Sequence, residues 1–176
     1  AVEEVEAFFH DPRDGARLYR LLLFFLEELE QELERTPAGV PGALLRSAEE
    51  EELAHRLLLS YLFAQVIHIA GLTPRWGECS ACGRPLRERR LFVPALGDLL
   101  CPDCVAHAAA PGLWLGEPSG RLLAALAASG PRTLERLRPG NETLNEALRA
   151  LAAFLEASLE RSLNSLPFID IMRASK

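Results

Sequence analysis

This sequence has almost no lysine, no long apolar run and no glycine-rich loop. Lys176 is the only lysine, so almost all of the positive charge is carried by arginine. The longest apolar stretch, Leu57 to Ala70, contains polar residues and is shorter than the roughly 17–25 residues that a membrane span needs. No glycine-rich phosphate loop or secretion signal is evident, so we expect no nucleotide-binding loop of that type, no export and a cytoplasmic location.

Composition and charge narrow the class of protein further. The 176 residues are 49% hydrophobic and 25% charged, which indicates a folded domain, or a domain with a small module, rather than a disordered chain. The net charge of −6 has the wrong sign for a protein whose whole surface binds phosphates. Any contact with nucleic acid is therefore expected to be local.

Apolar residues at helical spacing predict that the chain is mainly helical. Asp11 and Pro12 are typical of a helix start, as N-cap and first helical residue. A capping box at Ser47 and Glu50 predicts the start of a second, central helix, which Gly71 ends. The apolar stripe of the first of these helices consists of Leu18, Leu21, Leu22, Phe25, Leu26, Leu29 and Leu33.

The helical pattern is interrupted in the middle of the chain and then returns. Arg90–Val93 and Asp98–Leu100 predict two short strands joined by a tight turn. Helices are expected again over Arg121–Ser129 and from Asn141, as the N-cap, to a stop at Pro167.

The four cysteines form two pairs, Cys79 with Cys82 and Cys101 with Cys104, separated by eighteen residues. A two-residue gap lets both thiolates of a pair face one ion, and a hairpin between the pairs brings them together as a tetrahedral zinc site. Gly83 suits the tight turn after the first pair. We therefore predict one structural Zn²⁺ per chain.

Two disulfides or a redox-active pair are the alternatives to zinc. The absence of an export signal points to reducing surroundings, which disfavours disulfides. A thioredoxin-like motif needs only one pair, at the start of a helix that follows a strand. His107 is a possible substitute ligand, but four thiolates already complete a tetrahedron and leave no position for a catalytic water.

No catalytic group stands out elsewhere in the sequence. His68 lies on the apolar central helix and is predicted to be a core residue, whereas His10 and His55 are predicted at the surface. Paired acids such as those at 27–28 are expected on solvated helix faces, and no serine or cysteine has an evident basic partner. We therefore predict that the chain is not an enzyme.

A cluster of arginines belongs to the predicted zinc module. Its members are Arg84, Arg87, Arg89 and Arg90, with Glu88 the only acidic residue among them. Such a cluster suits phosphate or an acidic partner. The alternative is a solvated hairpin, which the acidic character of the whole chain favours.

The order of these features along the chain adds a more specific signal. The central helix ends in Gly71–Pro74, the first cysteine pair follows, Leu99 and Leu100 precede Cys101, and the last helix contains Phe154. This combination, which extends over most of residues 47–168, resembles the C-terminal region of the RecO family of bacterial recombination mediators.

The resemblance implies a factor that acts by binding rather than by catalysis. RecO proteins bind single- and double-stranded DNA and anneal complementary strands. Together with RecR they load recombinase onto DNA that is coated with single-stranded-DNA-binding protein. The expected partners are therefore RecR, the acidic, hydrophobic-ended tail of that coating protein, and DNA.

Two features depart from the family pattern. An N-terminal OB-fold precedes the helical region in RecO proteins, whereas no run of alternating strands precedes Asp11 here. The last helix of the family usually ends in a basic cluster, of which Arg161 alone remains. We therefore expect weak, salt-dependent DNA binding through the four arginines of the zinc module, with Arg161 as an outlying contact.

The sequence thus predicts a mainly α fold, a helical bundle with an inserted four-cysteine zinc-ribbon β-hairpin module. Residues 1–74 and 111–176 are expected to form the bundle and residues 75–110 the zinc module. The leading hypothesis is a RecO-like DNA repair and recombination module, and the alternative is a zinc-stabilised protein–protein adaptor unrelated to recombination. Surplus apolar residues, Trp114 among them, predict a surface for protein partners.

Overall fold

A computed structural model describes residues 12–34, 48–128, 130, 134 and 136–159. The elements of the chain, in order, are α1 (Pro12–Glu34), α2 (Ala48–Ile69), β1 (Arg90–Val93), β2 (Asp98–Leu100), a 3₁₀ helix (Pro102–His107), β3 (Leu113–Leu115), α3 (Glu117–Ala128) and α4 (Asn141–Leu159). The predicted fold is confirmed: the chain is mainly helical, with a small antiparallel sheet and the four cysteines inserted between helices.

Helix α2 is the central helix, as its sequence predicts. It packs against α1, α3 and α4, so apolar residues on several of its faces are covered. Tyr61, Ala64 and Ile67 are buried in the common core. The helix ends at Ile69, and Gly71 just beyond it forms the expected C-terminal cap, with a positive φ of 73° and an N–H bond to the carbonyl of His68.

Two helix starts differ from the sequence prediction. Helix α3 begins at Glu117, before the predicted Arg121, because Pro118 is tolerated in a first turn. At the start of α4 the first helical hydrogen bond runs from the N–H of Leu144 to the carbonyl of Gly140, so Gly140 and not Asn141 is the N-cap. The side-chain oxygen of Asn141 is engaged elsewhere, since it accepts a 2.9 Å hydrogen bond from Arg56 of α2.

The sheet contains the two predicted strands and a third that the sequence analysis missed. The strand order is β2-β1-β3, and both pairings are antiparallel. The turn between β1 and β2 passes through Gly97, which has a φ of 70°. Strand β3 lies beyond residue 110, the predicted end of the zinc module, and is too short to show an alternating pattern.

The sheet and the helices share one core. Phe92 of β1 is fully buried, and its ring lies 5.1 Å from that of Trp76 and 5.9 Å from that of Phe154 in α4. Each of these contacts joins a different part of the chain, so the sheet is fixed to the helical body by aromatic packing.

The apolar stripe of α1 is only partly buried. Leu18 and Leu21 enter the core, whereas Leu22 and Leu26, which share the stripe in the sequence, are 42% and 59% exposed. Tyr19 and Leu23 extend this exposed surface, which we call the α1 apolar face (Tyr19, Leu22, Leu23 and Leu26). No described helix has the length and apolar character that a membrane span requires.

Some of the predictions concern residues outside the described ranges and have no structural outcome. They are the N-caps Asp11 and Ser47, the helix stop at Pro167, the surface position of His10 and the DNA contact of Arg161.

Candidate metal centre

The four cysteines converge on one point. The sulfur atoms of Cys79, Cys82, Cys101 and Cys104 all lie within 4.8 Å of one another, and all four residues are free thiols. The sulfurs of Cys82 and Cys101 are 3.9 Å apart. Four sulfurs at about 2.3 Å from a zinc ion would be separated by about 3.8 Å, whereas a disulfide requires about 2.05 Å. The cluster therefore has the dimensions of a metal site.

The backbone of the first cysteine pair is shaped as a tight knuckle. The N–H of Gly83 donates to the carbonyl of Cys79 and the N–H of Cys79 to the carbonyl of Arg84. Gly83 has a φ of 71°, a conformation that favours glycine, so its predicted role in the turn is confirmed.

The second pair follows β2 directly and is tied to the first. The N–H of Ser80 donates to the carbonyl of Leu99 at 2.7 Å, and the N–H of Leu99 donates to the hydroxyl oxygen of Ser80 at 3.1 Å. Cys101 also donates its N–H to the sulfur of Cys79. These contacts hold the two knuckles face to face, so the hairpin brings the four sulfurs together.

Two of the thiols have lowered pKa values. The side chain of Arg84 donates a hydrogen bond to Cys82, which together with the N–H of Arg84 lowers the pKa of Cys82 to about 6. Burial raises the pKa of Cys79, but N–H bonds from Cys101, Cys82 and Ala81 outweigh that effect and leave this pKa below its ordinary value. Metals bind thiolates, so both effects favour metal binding.

The sulfur of Cys104 behaves differently. Its side-chain hydrogen bond with Cys101, followed by burial, raises its pKa to about 12. The thiol form of Cys104 is therefore favoured, and the positive charge of a bound cation would oppose this effect by stabilising its thiolate.

Arg84 lies directly against the sulfurs. Its Nε is 3.4 Å from the sulfur of Cys82, and one terminal nitrogen lies 3.6 Å from the sulfur of Cys101 and 2.7 Å from the carboxylate of Asp103. The sequence analysis did not predict a role for Asp103. Its position between Cys101 and Cys104 is the signal that could have indicated one. Arg84 is thus a direct neighbour of the site.

Candidate ligands other than cysteine are not part of the cluster. Within residues 48–128 the only metal-binding group around the knuckles consists of the four cysteines, and His107 is not among its members. The prediction for His68 is wrong: this residue is exposed at the end of α2, where its Nδ1 lies 3.2 Å from the hydroxyl of Thr73. His55 is exposed, as predicted.

The predicted arginine surface divides into three environments. Arg90 is only 2% exposed and donates to the carbonyls of Trp76 and Glu88, so its prediction as a DNA contact is wrong because phosphate cannot reach it. Arg84 faces the sulfurs. Arg87 and Arg89 are exposed, and the guanidinium of Arg89 lies over the ring of Trp114.

Comparison with known proteins gives one consistent result. Residues 42–167 match the family model described as "Recombination protein O C terminal". A relative named "DNA repair protein RecO" from Anaeromyxobacter sp. (strain Fw109-5) is 42% identical over 107 residues, which are 59% of this chain and 41% of that protein. The family match, over residues 42–167, therefore includes both cysteine pairs and the helices on either side.

Longer matches extend over more of the chain. A "DNA repair protein RecO" from Symbiobacterium thermophilum is 31% identical over 182 aligned positions, which cover 100% of this chain and 63% of the relative. Another of that name from Roseiflexus sp. (strain RS-1) is 32% identical over 84% of this chain and 59% of its own length. The chain thus spans less than two thirds of each of these relatives.

Proposed function

Since this chain belongs to the RecO family, we propose that it is a DNA repair and recombination mediator module that acts by binding protein partners and, weakly, DNA. The observation that carries this proposal is the family match over residues 42–167, which runs through the cysteine cluster and the helices around it. The proposed action is binding without catalysis, and the proposed location is the cytoplasm, where the relatives' named role in DNA repair would be carried out.

We propose that Cys79, Cys82, Cys101 and Cys104 hold one Zn²⁺ with a structural role. The spacing of the sulfurs and the lowered pKa of Cys82 support this assignment. A bound zinc ion would cross-link the two knuckles, and four thiolates would leave it no open position for a substrate. Elemental analysis of protein purified without chelator is expected to give one zinc per chain. If the purified protein contains no zinc and its thiols are paired as disulfides, the assignment is refuted.

The α1 apolar face supports a protein partner. Leu22 and Leu26 project from a helix into solvent although both are large and apolar, and contiguous exposed apolar residues mark interaction sites. The exposed Glu27 and Glu30 lie on the same helix, so an acidic tail is disfavoured at this face. Of the two partners that the family suggests, we therefore assign RecR to this face and the tail of single-stranded-DNA-binding protein to another surface.

A binding measurement tests this assignment. Leu22→Asp and Leu26→Asp should each weaken RecR binding at least roughly ten-fold, because a charge then replaces an anchor in the interface. Leu96→Asp is a matched control, since Leu96 is a leucine of similar exposure, 55%, in the β1–β2 turn. RecR binding that is unaffected by the α1 variants would remove this face from the proposal. A labelled acidic, hydrophobic-ended tail peptide, titrated separately, tests the second partner.

We propose that DNA contacts the zinc module through Arg87 and Arg89, with Arg161 as an outlying contact. The exposure of Arg87 and Arg89 supports this role, whereas Arg84 contacts the sulfurs and Arg90 is buried. With a net charge of −6, binding should be weak and should fall steeply as salt rises. Replacing Arg87 and Arg89 by alanine should remove most of it. Tight binding at physiological salt that survives these changes would place the DNA surface elsewhere.

A further inference from the structure

Trp114 is an exposed aromatic residue on a firmly held strand. It is the central residue of β3 and is 44% exposed, whereas Trp76 is 4% exposed. Before it, Gly112 approaches β1 so closely that a Cβ would lie 2.7 Å from the carbonyl oxygen of Phe92. After it, the N–H of Gly116 donates to Glu146 of α4 at 2.8 Å. Both ends of β3 are therefore fixed, which presents the indole ring in a defined position.

Arg89 lies over this ring. Arg90, the first residue of β1, turns into the protein, where it bonds the carbonyls of Trp76 and Glu88. Arg89, which immediately precedes it, is exposed. Its guanidinium carbon lies 4.5 Å from the centroid of the Trp114 ring, a cation–π distance. Of these two neighbouring arginines, Arg89 is therefore the one that a ligand can reach.

The charge at this site is available to a ligand. Within the described residues neither Arg87 nor Arg89 forms an ion pair. Two carboxylates on the helices that follow β3 are already engaged: Glu117 pairs with Arg121, and an oxygen of Glu146 accepts hydrogen bonds from Gly116 and Ser119. Glu88 lies between the two arginines in the chain, so the net local charge is positive.

We propose that Trp114 and Arg89 form a stacking site for one base of single-stranded DNA, with Arg87 contacting the adjoining phosphate. This inference rests on the proposed DNA contact. It adds that the DNA is single-stranded and that one of its bases stacks on Trp114. A base offers a flat π face to the indole and its phosphate offers negative charge to the guanidinium groups, so one nucleotide uses both parts of the site. A duplex hides its base faces in the stack and would not use Trp114.

The two tryptophans allow a direct test by fluorescence. Titration of the 176-residue chain with an oligo(dT) of about 15 nucleotides at low salt should quench the emission of the exposed Trp114. Trp76→Phe should keep this quenching. Trp114→Phe should keep binding, measured by anisotropy of a labelled oligonucleotide, but lose the quenching. Trp114→Ala should weaken binding roughly five- to hundred-fold, the loss expected for one base–aromatic stack.

Further variants separate stacking from charge. Arg89→Ala should weaken binding and lower the salt slope by about one. Circular dichroism should show that the Trp114 variants keep their helices, and Trp114→Phe provides a conservative replacement in case the alanine variant does not fold. Duplex DNA of the same length should leave Trp114 emission unchanged.

The outcomes distinguish this inference from the proposed DNA contact. One outcome is that oligo(dT) binds without quenching the fluorescence and that Trp114→Ala binds it with full affinity. This outcome would overturn the stacking site, but DNA would still contact the chain elsewhere. No binding of oligo(dT) at low salt would overturn both. Quenching by an acidic, hydrophobic-ended peptide but not by oligo(dT) would overturn the inference and identify a protein ligand for Trp114.

Discussion

The guanidinium of Arg84 bridges the carboxylate of Asp103, at 2.7 Å, and the sulfur of Cys82, at 3.4 Å. Four thiolates around a divalent cation carry a net charge of −2, so a cation held against the sulfurs offsets part of that charge. Asp103 fixes the guanidinium from the other side. Both side chains are exposed to solvent, so the salt bridge itself contributes little to stability. Its main effect is to orient Arg84 toward the sulfurs.

Arg84→Ala is therefore expected to weaken metal retention. Loss of an outer contact to a metal ligand typically lowers metal affinity about 10- to 100-fold. The measurement is competition with a chromogenic zinc chelator at equilibrium. Arg87→Ala is the matched control, because it removes the same charge from the same exposed loop. Equal effects of the two substitutions would show that only the local charge matters and that the contact to Cys82 does not.

The pKa of Cys82 predicts the pH dependence of the metal-free chain. Because this pKa is about 6, below the ordinary 9.0, the folded chain favours the thiolate. The stability that this thiolate contributes is fully present above about pH 9 and is lost as the pH falls through about 6. Alkylation of Cys82, followed by peptide mapping, should have its midpoint near pH 6. In Arg84→Met the midpoint should move toward 9; a wild-type midpoint already near 9 would contradict the hydrogen bond.

Metal removal is expected to affect more than the knuckles. Phe92 packs on both Trp76 and Phe154, so the sheet and α4 share a core. Chelation should therefore lower the melting temperature of the helices, measured by circular dichroism, while most helical signal persists in the cold. In Trp114→Phe, the emission of Trp76 should shift to longer wavelength as the metal leaves. Helices that melt at the same temperature with and without metal would show that the bundle is independent of the site.

Gly120 is expected to tolerate no side chain. A Cβ at this position would lie 2.4 Å from a terminal nitrogen of the buried Arg90. Gly120→Ala should therefore lower the free energy of unfolding by about 1–3 kcal/mol, measured by urea denaturation. Gly15→Ala in α1, where a Cβ meets nothing within 4 Å, should instead raise it by up to ~1 kcal/mol. Equal responses of the two variants would mean that Arg90 moves aside at little cost.

The local structure and the cysteine cluster were predictable from the sequence because their signals are local. Apolar spacing predicts α1 and α2, with Pro12 at the start of one and Gly71 just after the end of the other, and the two strands of the hairpin were located to the residue. Two pairs of cysteines at this spacing predict a metal site without any knowledge of the fold, and the structure brings their four sulfurs together.

Only the tertiary structure decided which arginines and which apolar side chains are exposed. The sequence does not distinguish the four arginines of the zinc module. In the structure Arg90 is buried beside Gly120, Arg89 is exposed over Trp114 and Arg84 lies against the sulfurs. Likewise β3 becomes a strand through pairing with β1, and Leu22 is exposed because α2 covers only one side of α1. Such outcomes depend on contacts between residues that are distant in sequence, and a periodic pattern does not contain them.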